Sequence, residues 1–407
     1  MPTLAIDFGT SNSAVALAHP GGVWRLPIEG HDTVPTAVFF PEQGGAMRIG
    51  NAAARALAAG DEGRYMRALK SVLGLPLLHE PRLIAGRRRT LAEVVTAFLA
   101  TLRTSATAAT GQTFTRVLSG RPVHFHDQPE RDARAEADLR ACYQAAGFTE
   151  IAFLPEPEAA MLACHHAGGG LGLVVDIGGG TSDFTLFRHQ APRPRILASH
   201  GIRLGGTDFD TALSLAHAMP LLGLGGALRR EMGSALLPVP RALYVDLATW
   251  ARIPFLYAPE PRRQAAAMAR LAVDGRAMAR LCTVLEDELG HTLAFAVEAA
   301  KIAANDAGAG TIAMATIEPG LGIAIRRADI DDVLASQCAA LQAAAAETLA
   351  RAGVRADAVD EVILVGGSSR MRMVGAAMRA LCPTASLRGV DALTAVVDGL
   401  AIAAARG

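Results

Sequence analysis

Leu173-Val174-Val175-Asp176-Ile177-Gly178-Gly179-Gly180-Thr181-Ser182-Asp183 reads as an apolar β-branched run, an aspartate, a glycine turn with hydroxyls, and the start of a second apolar run. A related stretch opens the chain: Leu4-Ala5-Ile6-Asp7-Phe8-Gly9-Thr10-Ser11-Asn12-Ser13. An apolar run that meets Gly and Ser/Thr and then resumes predicts a β-hairpin. Such a turn exposes backbone N–H groups and hydroxyls that can cradle phosphate oxygens, and the aspartate at the strand end can hold Mg²⁺ through its water shell. Either copy alone reads as an ordinary hairpin. Two copies ~170 residues apart are too few and too distant for a solenoid and suit two similar lobes around one cleft.

The rest of the chain supports α/β. Ala-rich stretches at helical spacing, Ala265 to Leu281 and Leu334 to Ala350, alternate with β-branched runs such as Val362-Ile363-Leu364-Val365. At 407 residues and 51% apolar composition, two or three domains with full cores are expected. Thirty-nine basic residues balance thirty-nine acidic ones, so no field of one sign gathers nucleic acid or anionic lipid. The five cysteines, Cys142, Cys164, Cys282, Cys338 and Cys382, are scattered with no Cys-x-x-Cys pair, which argues against a disulfide framework or zinc knuckle and for a reducing cytoplasm. Met1 to Asp7 lacks the basic, apolar start of a signal peptide. Thr211 to Leu228 has no charged side chain, but His217, Pro220 and three glycines predict a buried helix plus loop rather than a membrane span.

Other nucleotide signatures are missing. There is no Gly-x-x-x-x-Gly-Lys-Ser/Thr string and no Gly-x-Gly-x-x-Gly after a strand. Asp7-Phe8-Gly9 mimics a kinase magnesium motif, but no kinase lobe precedes it.

These residues resemble the ATPase domain of the DnaK-type heat-shock chaperones, within the actin, sugar kinase and chaperone superfamily. Ile6 to Ser11 is similar to that family's first phosphate loop, and Asp176 to Asp183 to its second. Leu154-Pro155-Glu156-Pro157-Glu158-Ala159-Ala160 resembles the first connecting helix, Leu204-Gly205-Gly206-Thr207-Asp208-Phe209-Asp210 the segment after the second loop, and Val365-Gly366-Gly367-Ser368-Ser369-Arg370 the adenosine motif. The resemblance implies a bilobed actin-like ATPase fold with two duplicated ribonuclease H-like lobes. Lobe I is expected over 1–170 with an inserted subdomain at about 35–111, and lobe II over 171–387 with an insert at about 218–318. A C-terminal helix, 388–407, is expected to return to lobe I.

Only Lys70 and Lys301 among the 39 basic residues are lysine, in a chain that uses arginine wherever a plain positive charge serves. Lys70 falls where the family keeps a lysine near the γ-phosphate. Lys301, with Glu298, falls in the helix that contacts ribose and adenine. The implied cofactors are ATP/ADP with Mg²⁺, and K⁺ as a further cation. The implied catalytic residues are Lys70, Glu156, Asp176 and Thr181; Asp7, Asp176 and Asp183 serve the metal through water. Gly9, Thr10, Ser11, Asn12, Gly178, Gly179 and Gly180 are expected at the phosphates. Gly205, Gly206, Glu298, Lys301, Asn305, Gly366, Gly367, Ser368 and Arg370 are expected toward the nucleoside.

The sequence departs from the family in several places. It stops at Ala401 to Gly407, about where the ATPase domain should end, so a peptide-binding domain is not expected. Ile302 stands in the place of an adenine-stacking arginine, Asn305 in that of a serine, and Leu393 near Asp391 in that of an acidic residue. Tyr244 to Tyr257 is unlike typical chaperones and similar to a short bacterial branch; it reads as a packed helix or a partner site. The His124/His126 and His165/His166 pairs lack matching cysteines or acids for a metal; His126 and Asp127 belong to the loop after Pro122, where the family has its interlobe switch. The expectation is a slow cytoplasmic ATPase, a monomer that signals its nucleotide state to a protein client or co-chaperone, without nucleic acid or membrane. A small-molecule kinase, an actin-like filament protein and a non-hydrolysing nucleotide sensor are the alternatives on the same fold.

Overall fold

The computed structural model describes residues 2–164, 170–190, 194–389 and 394–406. His165, His166, Asp391, Leu393 and Gly407, named above, lie outside the described residues. The chain falls into two compact units, Met1–Gly206 with Cys338–Gly407, and Thr207–Gln337.

Two of the sheets in the first unit share one strand order, the first carrying an added short strand, Val34–Pro35, paired with Asn12 and Ser13. In the first sheet, β1 (Thr3–Phe8), β2 (Asn12–His19) and β3 (Gly22–Arg25) form antiparallel hairpins, and β4 (Arg116–Arg121) and β5 (Glu150–Pro155) add in parallel, in the order β5-β4-β1-β2-β3. In the second, β6 (Leu171–Ile177), β7 (Ser182–Arg188) and β8 (Arg195–Ile202) are antiparallel, and β9 (Glu361–Val365) and β10 (Ser386–Gly389) add in parallel, in the order β8-β7-β6-β9-β10. The two sheets are therefore a structural duplication, and the expected boundary at 170/171 runs inside this unit. Their central strands are buried on both faces, which explains their near-continuous apolar reading.

Each sheet ends in a helix, Glu156–Cys164 after β5 and Ala395–Ala404 after β10. These helices pack on one another in a core with Ala5, Ala16, Val174 and Ile363. Gly399 makes that crossing so close that an added Cβ would land on the backbone carbonyl of Ala159. Arg25 on β3 clamps Asp398 of the last helix through Nε at 2.8 Å and Nη2 at 2.6 Å.

Between β3 and β4 lie a three-stranded sheet built on Ala37–Pro41, a hairpin of Arg82–Ile84 with Arg87–Arg89, and the helix Leu91–Thr110, whose Thr90 and Glu93 form a capping box. The second unit is mostly helical. Its Ala-rich stretch is not one helix. Pro259–Leu271 and Gly275–Glu286 are separated because Val273 donates its N–H to Ala227 O at 2.9 Å and Asp274 caps the second helix on the Ala277 N–H at 3.0 Å. Leu334 to Ala350 does form a single helix, Ala335–Arg351. Thr211 to Leu228 breaks into a helix end, a π-helical turn Ser214–Ala218, a 3₁₀ turn Met219–Leu222 and a loop. No helix among the described residues is long and apolar enough to cross a membrane.

Candidate functional site

The two hairpins of the first unit bring their turns together. β1 and β2 pair Asp7 with Ala14 and Phe8 with Ser13, leaving Gly9-Thr10-Ser11 as the turn. β6 and β7 pair Asp176 with Asp183 and Ile177 with Ser182, and Gly178 closes the second turn by donating its N–H to Thr181 O at 3.0 Å. The Gly178 amide is thus engaged within the turn. A Cβ on Gly179 would overlap Ser11 Oγ, and one on Gly180 would sit 3.0 Å from Thr10 Oγ1. Glycine is needed here because the loops touch backbone to side chain.

Other expected glycines shape the second loop rather than reach beyond it. A Cβ on Gly205 would lie 2.6 Å from Gly179 C, and one on Gly206 would overlap Ser368 Oγ. The Gly206 N–H is bonded to Gly178 O at 3.0 Å. Gly366, with φ of +81°, approaches so closely that its Cβ would stand 2.6 Å from Asp176 Oδ1. After it, Gly367–Arg370 forms a 3₁₀ turn with Ser369 buried. Arg370 lies at a cavity of about 640 Å³ with Leu364, Met371, Arg379 and Leu387.

Lys70 sits on a 3₁₀ turn, Leu69–Val72, entered through Ala68 at φ 60° and ψ 34°. A left-handed alanine costs roughly 1 kcal/mol, so surrounding contacts must hold it; Ser71 Oγ donates to Ala68 O at 2.7 Å. The Lys70 ammonium is buried and bonded to Glu156 Oε1, the first residue of the connecting helix. Gly120 leaves room for this carboxylate, since a Cβ there would lie 3.1 Å from Glu156 Cγ. Asp183 is buried and accepts the Val123 N–H at 2.7 Å, which ties the loop after Pro122 to the second sheet. In that loop, His126 has both ring nitrogens engaged, Nε2 with Leu73 O at 2.7 Å and Nδ1 with Arg203 at 3.2 Å.

Burial and mutual repulsion dominate the electrostatics. Asp183 is pushed up to about 8, first by burial and then by the Glu156 charge. Asp176, also buried, rises well above the usual range for the same reasons, with Asp183 and Asp7 adding to the repulsion. Asp7 keeps part of its surface open, yet the surrounding protein and Glu156 lift it to about 7, against the pull of Lys70. One ammonium thus faces four carboxylates, and the imbalance favours a bound cation. Among the described residues no three carboxylate, imidazole or thiolate groups converge to cage a bare ion; Asp7, Asp176 and Asp183 are the residues that could hold a cation through its water shell. Thr10, Lys70, Gly180, Thr181, Phe125 and Arg203 also line a cavity of about 20 Å³, room for about one water. Arg203 and Phe125 were not singled out by sequence; the available signal for Arg203 was its place just before Leu204-Gly205-Gly206.

In the second unit, Lys301 is buried and bonded to Asp210 Oδ1 at 2.6 Å. Burial raises the Asp210 carboxyl, with Lys301 opposing it. Asn305 is buried with Nδ2 on Asp306 at 2.8 Å, Glu298 is half-buried, and Ile302 is exposed.

A family model for Hsp70 protein matches residues 82–219 and 286–406, more than half of the chain. The chain belongs to the Hsp70 family. Chaperone protein HscA homologs of Burkholderia cenocepacia (strain HI2424) and Burkholderia orbicola (strain MC0-3) are each 31% identical over 243 residues, covering 54% of this chain. The match spans 38% of the length of each of those relatives. The first Gly-hydroxyl turn and Lys70 lie outside the Hsp70 model match, as does Tyr244 to Tyr257. The strand order around the first turn repeats that around the second.

Proposed function

We propose that this Hsp70-family chain binds ATP with Mg²⁺, hydrolyses it slowly, and passes its nucleotide state to a partner protein such as a co-chaperone or client. The observation that carries the reading is the contact of two duplicated Gly-hydroxyl turns beside the half-buried Asp7 and the buried Asp176 and Asp183, with the Lys70–Glu156 pair at their edge. In this reading the amides and hydroxyls of Gly9, Thr10, Ser11, Asn12, Gly179, Gly180 and Thr181 hold phosphate oxygens, and Gly178 closes the turn. Asp7, Asp176 and Asp183 would hold the waters of Mg²⁺, with Asp7 and Asp183 as candidates for K⁺. When bound, the metal offsets phosphate charge and positions its oxygens.

Glu156, Asp176 and Thr181 are the candidates to orient the attacking water, and the cavity between Lys70, Thr10 and Thr181 has the size for it. Glu156 holds the Lys70 ammonium in reach, so that Lys70 can offset charge developing on the transferred group. Glu298, Lys301 and Asn305, and separately Gly366, Gly367, Ser368 and Arg370, are the candidate nucleoside contacts of the two units. Gly205 and Gly206 serve by supporting the second loop.

The test is ATP binding and turnover by the whole chain and by Lys70→Ala, with and without a denatured protein. Lys70→Ala is expected to bind ATP within about tenfold of wild type and to lose at least about 100-fold in turnover, the scale of one electrostatic stabiliser. Normal turnover in that variant, or no ATP binding by wild type, refutes the reading.

A further inference from the structure

Trp250 lies in the Tyr244 to Tyr257 segment, outside the Hsp70 match. It follows the short helix Ala242–Ala248 and is 2% exposed. Its indole Nε1–H donates to Asp210 Oδ2 at 3.2 Å, while the other oxygen of that carboxylate accepts from Lys301 Nζ at 2.6 Å. The indole ring meets Phe295 edge-on at 5.1 Å and 80°, and His291 lies 6.1 Å away. His291, Phe295 and Lys301 all belong to the helix Gly290–Ala307. Trp250 therefore touches both the acid that holds Lys301 and the helix that carries it.

A carboxylate with one oxygen on an ammonium can still rotate about its own bonds, and a long lysine side chain follows it. A second donor on the other oxygen removes that freedom. We propose that Trp250 is a positioning residue for nucleotide binding, fixing the Lys301 ammonium through Asp210. The inference rests on the reading of Lys301 as a nucleoside contact. It assigns to Tyr244 to Tyr257 a role inside the molecule rather than at a partner surface.

Trp250→Phe keeps an aromatic ring and deletes the N–H. Loss of a charge-assisted hydrogen bond that preorganises the Lys301 ammonium is expected to weaken adenosine and ADP binding about tenfold. Binding of Mg²⁺ tripolyphosphate is expected to stay within twofold, as is kcat at saturating ATP. Equal effects on adenosine and tripolyphosphate, or none on adenosine, overturn the proposal. Lys301→Ala distinguishes failure of the Trp250 role from failure of the Lys301 contact. If it weakens adenosine binding and Trp250→Phe does not, the Trp250 role alone falls; if Lys301→Ala has no effect on adenosine, the nucleoside reading of Lys301 falls and takes this inference with it. A measurement on the folded chain guards against a misfolded variant. Trp24 and Trp250 are the two tryptophans, so in Trp24→Phe the emission of Trp250 should shift with adenosine at the midpoint found by calorimetry. A silent emission at saturation refutes the coupling.

Discussion

Replacing Asp183 by asparagine should change how stability depends on pH more than it changes stability at any one pH. Asp183 is 1% exposed, and burial followed by the Glu156 charge lifts its carboxyl to about 8. Between pH 5 and 7 the metal-free folded protein therefore keeps a proton on Asp183 that the unfolded chain has released. The folded state binds more protons, so stability is greatest below the unfolded value near 3.8 and is lost as pH rises through about 8. Each retained proton costs about 1.4 kcal/mol per pH unit, so this residue alone removes about 3 kcal/mol from pH 5 to pH 7. Asparagine has no proton to lose and can still accept the Val123 N–H. Thermal unfolding in EDTA should show Asp183→Asn gaining on wild type by about 5–10 °C across that window, at 2–4 °C per kcal/mol for a unit of this size. Mg²⁺ with ADP should flatten the wild-type profile, because a cation favours the ionised carboxylates. Parallel pH profiles for wild type and variant in EDTA would refute the electrostatic account of the site.

Two further substitutions probe close approaches. Gly179→Ala places a Cβ on Ser11 Oγ; ATP affinity should fall at least about tenfold, the effect of misplacing a phosphate loop by a fraction of an ångström. Adding Ser11→Ala should restore part of it, and calorimetry on the single and double variants checks both. Gly399→Ala drives a methyl into the Ala159 carbonyl between the two connecting helices, and overpacking of this kind costs about 1–3 kcal/mol or more. Urea unfolding should show that loss, and an unchanged midpoint would mean the helices can separate freely.

Much of the fold was legible because its signals are local. Asp7-x-Gly9 and Asp176-x-Gly178 mark the ends of strands and the start of turns within a few residues, and turn chemistry depends on those residues alone. The repeat of that pattern announced a duplication, which the identical strand orders of the two sheets bear out. The break at Ala272 to Asp274 was not legible, since alanine-rich sequence carries the helical signal through it. A backbone bond from distant Ala227 overrides that propensity.

The α/β duplication, the family and the two unusual lysines are readable from residue order alone. What those lysines meet comes from folding: Glu156 lies 86 residues from Lys70, and Asp210 lies 91 from Lys301. Folding also makes Gly205, Gly206 and Gly366 support a loop and brings Asp7, Asp176 and Asp183 within reach of each other's charge. Residue type states which charges and hydrogen bonds a side chain can offer. Which of them are desolvated, and beside which partner, depends on contacts between residues far apart in the chain, and that neighbourhood sets their energies.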